Sequence, residues 1–372
     1  MATYNSIFWG VWGVFVLVLI KESKPVSWDD WWTYEGISGP AFWGLINPDW
    51  SLCNKGRRQS PVNLEPKTLL FDPNLQPLQL DKHKVGGVLA NTGHGVVFAV
   101  DNNTLHPVNI SGGPLSYRYQ FHEIHLHYGQ HDRLGSEHTV DGYAFPAEIQ
   151  IYGFNSQLYN NFSDALHRAQ GIVAVSLLLQ VGDRSNPELR IFTEQLSKIK
   201  YGGNTTKIQR FVVRELLPDT NSYMTYDGST TMPACHETTT WIILNKPIYI
   251  TKQQLHALRD LVQGPLDPKT PLGNNYRPPQ SLHHRPVRTN IDFSVPQRTP
   301  GTIINPAEDN AFEYRCTTLF HLKDGSSLHF YEHVKEPKKK KMKKKNKEAR
   351  RRSSRMQSKM RRESRGRINL IN

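Results

Sequence analysis

The sequence predicts a mainly β fold with peripheral helices. Two observations carry this. From Val85 onward, short runs of β-branched and aromatic residues recur, each punctuated by Gly, Asn or Pro. Against them only two helices stand out by apolar periodicity and a start signal. A chain of 372 residues with 37% hydrophobic content can bury a full-sized core, in one large domain with tails or in two smaller ones.

In chain order, the first feature is Ile7-Phe-Trp-Gly-Val-Trp-Gly-Val-Phe-Val-Leu-Val-Leu-Ile20. It is short for a membrane span and of the right length for a signal-peptide core, so 1–24 reads as a leader, with a membrane anchor as the alternative. The aromatic entry Trp28-Asp-Asp-Trp-Trp-Thr-Tyr34 and Phe42-Trp43-Gly44 is too apolar for a linker and is expected to pack onto the domain. Strands are expected at Val85–Leu89, Val96–Val100, Glu123–Tyr128, Glu148–Phe154, Ile172–Val181 and Trp241–Leu244. One helix is expected over Asn186–Lys198, with Pro187 in its first turn. Another follows a capping box of Thr251 and Gln254 ahead of Leu255, Leu258, Leu261 and Val262. The organised part is expected over 28–295, followed by an irregular extension at 296–334 and a disordered Lys/Arg-rich tail at 335–372.

The net charge of +13 suggests nucleic acid until it is located. From Lys335 onward there are 18 Lys and Arg against 3 acids, which leaves 28 basic and 30 acidic residues before it. The folded part is therefore nearly neutral, the basic character belongs to the tail, and no nucleic-acid partner is expected. Four N-x-S/T sequons, at Asn102, Asn109, Asn161 and Asn204, fit a secretory route and an extracellular location. Three cysteines, Cys53, Cys235 and Cys316, suit one disulfide plus a leftover thiol in an oxidising compartment, or three free buried thiols in a reducing one.

The chemistry is concentrated in Phe121-His-Glu-Ile-His-Leu-His-Tyr128. A strand's period of two puts Phe121, Glu123, His125 and His127 on one face, and imidazoles at i and i+2 can clamp one metal. Such a pair is more often made of surface or core histidines, so its company matters. Gly135-Ser-Glu-His-Thr-Val140 and Ala147-Glu-Ile-Gln-Ile-Tyr152 follow, then Tyr226-Asp-Gly-Ser-Thr-Thr-Met-Pro233 leading to Trp241. With Arg58-Gln-Ser-Pro-Val-Asn63, Asn91-Thr-Gly-His94 and Ser111-Gly-Gly-Pro-Leu115, these resemble the α-carbonic anhydrase family in order and spacing, from about Trp31 to Phe293.

The resemblance implies a central, twisted, largely antiparallel sheet of ten strands and a zinc held by three histidines. That zinc lowers the pKa of its bound water to about 7, so that hydroxide attacks carbon dioxide. Here His125 and His127 occupy the first two ligand positions. The third reads Gln150, a neutral amide and a weak donor to zinc. His94 falls at the proton-shuttle position, and Glu137 and Thr231 at the pair that orients the zinc hydroxide. Met232 is expected at the substrate end of the pocket, and Glu123 beside His125, where active relatives carry glutamine.

Leu52-Cys53, Phe42-Trp-Gly-Leu-Ile-Asn47, Pro233-Ala-Cys235, Asn245-Lys-Pro-Ile-Tyr-Ile-Thr251 and Arg288-Thr-Asn-Ile-Asp-Phe293 are similar to the secreted acatalytic branch, the carbonic anhydrase-related proteins of ten and eleven type. Vertebrate members usually lack the first histidine, which this chain keeps as His125. The branch implies a Cys53–Cys235 disulfide, no cofactor, and a binding role toward extracellular proteins of the neurexin type. A weak zinc hydratase with a His-His-Gln site is the alternative. Two further contacts are expected: polyanionic glycans on the tail, and a disulfide-linked partner or second copy through Cys316.

Overall fold

A computed structural model of the chain describes residues 31–101, 106–264 and 270–292, together with the backbone of two strands at 314–321 and 327–333. The leader, Asn102, Phe293 and the basic tail lie outside the described residues, as does the side chain of Cys316. The chain divides into two units, Met1–Ser294 and Val295–Asn372.

Within the first unit, ten strands follow one another across a single sheet. In chain order they are β1 (Leu70–Phe71), β2 (Val85–Asn91), β3 (Val96–Val100), β4 (Tyr119–Tyr128), β5 (Ala147–Asn155), β6 (Ile172–Val181), β7 (Thr205–Phe211), β8 (Tyr223–Gly228), β9 (Thr239–Leu244) and β10 (Arg288–Thr289). Their spatial order is β7-β2-β3-β4-β5-β6-β9-β8-β10-β1. Neighbours run antiparallel except at β6–β9 and β10–β1, which bears out a largely antiparallel sheet. Leu78–Leu80, Asn109–Gly112 and Ile248–Ile250 attach at its sides.

The six expected strands all form, and several begin earlier than the β-branched runs that announce them. Every residue of β5 is buried, because the strand is central and covered on both faces. On one face Ile124 and Leu126 of β4, Ile149 and Ile151 of β5 and Val173, Val175 and Leu177 of β6 join a core with Leu189, Phe192, Leu255 and Leu258. Those last four come from the helices Pro187–Thr193 and Lys252–Arg259, which lie on that face. Asn186 caps the first of them by accepting from the Glu188 and Leu189 amides. It stops at Thr193, and Leu196–Ile199 continues as a short 3-10 turn, so the single helix expected to Lys198 is two pieces. The capping box of Thr251 and Gln254 is present in full.

Trp28 lies outside the described residues, and of the rest of the aromatic entry Trp32 and Trp43 pack onto the domain while Trp31 and Phe42 stay exposed. Trp32, Trp43 and Trp50 form a buried cluster with Cys53 and Cys235, and Trp43 is fully buried. Cys53 and Cys235 are joined in a disulfide that closes a loop of 182 residues. Met232 packs against this cluster.

In the second unit, where the sequence reading expects an irregular extension, Tyr314–His321 pairs antiparallel with Ser327–His333. β-Branched and aromatic residues in both segments, Thr317, Thr318 and Phe320 in one and Phe330 and Tyr331 in the other, with Lys323-Asp-Gly-Ser326 between them, suit a hairpin.

Candidate functional site

Register builds the site. Antiparallel pairing sets His127 of β4 opposite Glu148 of β5, His125 opposite Gln150, and Glu123 opposite Tyr152. All six side chains therefore share one face, the one turned away from the helices. β6 extends the rows: Gln150 pairs with Ser176 and Tyr152 with Ala174, and Ala174 pairs in turn with Trp241 of β9.

The two histidines are held differently. His127 Nδ1 lies 2.7 Å from the Asn275 carbonyl oxygen, which can only accept, so this nitrogen carries the proton. Asn275 is itself fixed, donating to the Leu126 carbonyl at 2.8 Å and accepting from the Tyr128 amide at 2.9 Å. His127 Nε2 is buried without a hydrogen-bond partner. His125 Nε2 lies 2.9 Å from Glu123 Oε1, within ion-pair range. Burial works to raise the Glu123 carboxyl, and the His125 ring outweighs it, leaving the carboxyl below its ordinary range.

The Gln150 side chain is bonded at both ends of its amide. Its amide nitrogen donates to Glu137 Oε2 at 2.7 Å and to Glu148 Oε1 at 3.0 Å. Its amide oxygen accepts from the Tyr152 hydroxyl at 2.7 Å and, more weakly, from Thr231 at 3.4 Å. The orientation of the amide follows from its neighbours, since two carboxylates require donors and two hydroxyls can give protons. Burial, and then the negative charge of Glu137, push the Tyr152 phenol well above its ordinary pKa, so it stays protonated and able to donate.

Behind this layer, Glu148 accepts from the backbone amides of Glu137 and His138, from His138 Nδ1 at 2.8 Å and from Ser176 Oγ at 2.8 Å. Burial alone would raise its carboxyl, yet the His138 ring and these donors bring it down to about 2. His138 Nε2 meets the Tyr226 hydroxyl at 2.8 Å. Glu137 Oε1 accepts the Arg277 amide at 2.8 Å. The buried Arg277 guanidinium donates to the carbonyls of Ser60 and Cys53 and to Gln59 Oε1, tying the site to the disulfide. Burial lowers its pKa to about 10, which leaves it charged at neutral pH.

The structure thus brings His125, His127, Glu137, Gln150 and Thr231 together, with the Gln150 amide lying between Glu137 and Thr231. His94 sits at the turn between β2 and β3, where Gly93 takes a positive φ of 84°, and its ring stacks on Trp32 with centroids 4.0 Å apart. Sequence reasoning did not single out Tyr152, His138, Asn275 or Arg277. Tyr152 had a signal, since it follows Glu148 and Gln150 at the strand period of two. Asn275 and Arg277 had none, because they come from a loop far along the chain.

The donor set does not suit a zinc held by three protein ligands. Among the described residues no group of three His, Cys, Asp or Glu side chains is placed to hold a metal ion. The third position is filled by an amide whose oxygen is already taken by Tyr152 and Thr231. Of the two imidazoles, His127 keeps an Nε2 that is buried and without a partner, and His125 keeps one that meets only the Glu123 carboxylate.

Of the sequons, Asn161 and Asn204 are exposed. Asn109 is half-buried, and its amide nitrogen donates to Asp81 at 2.8 Å.

Residues 38–291 match the sequence model of the eukaryotic-type carbonic anhydrases. A similar relative is the putative carbonic anhydrase-like protein 2 of Caenorhabditis elegans. It is 44% identical over 272 residues, which make up 72% of this chain and 81% of that protein.

Proposed function

The chain belongs to the eukaryotic-type carbonic anhydrase family, and from that membership we propose that it is an acatalytic, secreted member that acts as an extracellular binding module. One observation carries the acatalytic part: the residue at the third ligand position is an amide with both hydrogens and its oxygen already bonded inside the protein. To serve a metal it would have to give up those bonds in a buried place, where a lost partner costs most. Secretion is supported by the apolar leader, by the Cys53–Cys235 disulfide and by the exposed sequons Asn161 and Asn204.

No resident cofactor is proposed. The partner proposed is an extracellular or cell-surface protein, of neurexin type by the branch resemblance. Cys316 offers a covalent link to that partner or to a second copy, and the basic tail offers an attachment to polyanionic glycans.

A weak zinc hydratase stands as the second reading, because His125 and His127 both keep a buried Nε2 with no hydrogen bond. Stopped-flow hydration of carbon dioxide at equal added zinc separates the two. The acatalytic reading expects a rate at background, and a rate matching an active family member would overturn it. Capture of neurexin-type ectodomains by the purified protein tests the binding role. Resolving the captured complex without reductant, beside a Cys316→Ser variant, tests the covalent link: a reducible higher-mass band lost in the variant is expected.

A further inference from the structure

Tyr152 has a role beyond that of a core aromatic. It occupies the site face of β5, where its cross-strand neighbours are Glu123 on one side and Ala174 on the other. On the Ala174 side the next strand carries Trp241, and against it lies the Tyr152 phenol ring. Its centroid lies 6.0 Å from Trp241, one strand further on, and 5.1 Å from His125, edge-on to both. The hydroxyl ends on Gln150 Oε1 at 2.7 Å, on the same oxygen that Thr231 reaches. The ring is fully buried, so no solvent competes for this place.

We infer that Tyr152 is an internal occupant of the site, filling the space between His125, Thr231 and Trp241, and that the site is closed by two residues, Gln150 and Tyr152. The inference rests on the acatalytic reading and deepens it. Restoring an imidazole at position 150 replaces one donor set, but the phenol remains in the place where an exchangeable small ligand would have to enter. A catalytic zinc site needs such an open position in addition to its protein ligands.

The test compares Gln150→His, Gln150→His/Tyr152→Phe and Gln150→His/Tyr152→Val, each loaded with cobalt(II), whose visible bands report both uptake and ligand exchange. Azide is the probe. The expected result is that azide shifts the cobalt bands of the valine double variant and leaves those of Gln150→His and of the phenylalanine double variant unchanged. Failure of Gln150→His to take up cobalt while the valine double variant takes it up supports the inference equally. It is overturned if azide shifts the bands of Gln150→His as fully as those of the valine variant. It is also overturned if the valine variant takes up no cobalt or gives no azide response, since removing both residues should then have opened the site. Tyr152→Leu, closer in volume, replaces valine if thermal melting shows that the sheet does not tolerate the smaller residue. The unmodified protein is carried through the same series. Cobalt uptake with azide exchange there would sink the acatalytic reading itself, whereas full opening by Gln150→His alone sinks only the role of Tyr152.

Discussion

Gln150 links four neighbouring side chains of the site, Glu137, Glu148, Tyr152 and Thr231. Its amide keeps the buried carboxylates Glu137 and Glu148 apart and supplied with donors, and gives the Tyr152 hydroxyl an acceptor. Replacing it with leucine, similar in size but unable to bond, leaves buried carboxylate oxygens and a phenol with fewer partners. The expected destabilisation is about 1–3 kcal/mol, read as a lower urea midpoint at unchanged slope. A midpoint within the error of the unmodified protein would mean that the amide is not bonded as described. The histidine pair, Glu137, Gln150 and Thr231 were all legible from spacing and from the family pattern. Tyr152 was not, because a tyrosine on a central strand reads first as core, and only the register with Ala174 and Trp241 reveals the space it fills.

At the scale of elements, the strands that bury both faces were the easiest to read. β6 is a nearly continuous apolar run announced by its valines and leucines, and β5 is marked by Ile149, Ile151 and the aromatics Tyr152 and Phe154. β7 was missed because it is an edge strand whose residues Thr205–Phe211 are mostly exposed and polar, so no apolar alternation marks it. β8 was missed because Tyr223–Gly228 carries Asp227 and a glycine within a motif that reads as a loop. The entry segment is fastened by the disulfide, by stacked aromatics and by the Arg277 guanidinium on the Cys53 carbonyl. With the cysteines 182 positions apart, the chain-entropy estimate for the cross-link is about 5 kcal/mol as an upper bound. A Cys53→Ala/Cys235→Ala variant should therefore melt below the parent in a calorimetric scan, by up to roughly 10–20 °C. An unchanged melting temperature would mean that the entry segment is fixed by its aromatic packing alone.

For the whole molecule, the two charge regimes predict separable behaviour. The residues before Lys335 are nearly neutral, and the 18 basic residues from Lys335 onward act on any polyanion through long-range, salt-screened attraction. Truncation at Lys335 should move elution from a heparin column to markedly lower salt while leaving the melting temperature unchanged. Equal retention of the full and truncated proteins would remove the glycan proposal and leave the binding-module proposal standing.

The central claim, that this carbonic anhydrase scaffold has given up its metal chemistry, is tested most directly by the zinc affinity of the unmodified protein. Protein purified without chelator and dialysed against a buffered series of free zinc concentrations would be assayed by elemental analysis. The account predicts zinc well below one equivalent per chain at free concentrations that saturate an active family member, because Gln150 holds its oxygen on Tyr152 and Thr231. One equivalent bound per chain at those concentrations, lost in a His125→Ala/His127→Ala variant, would contradict it.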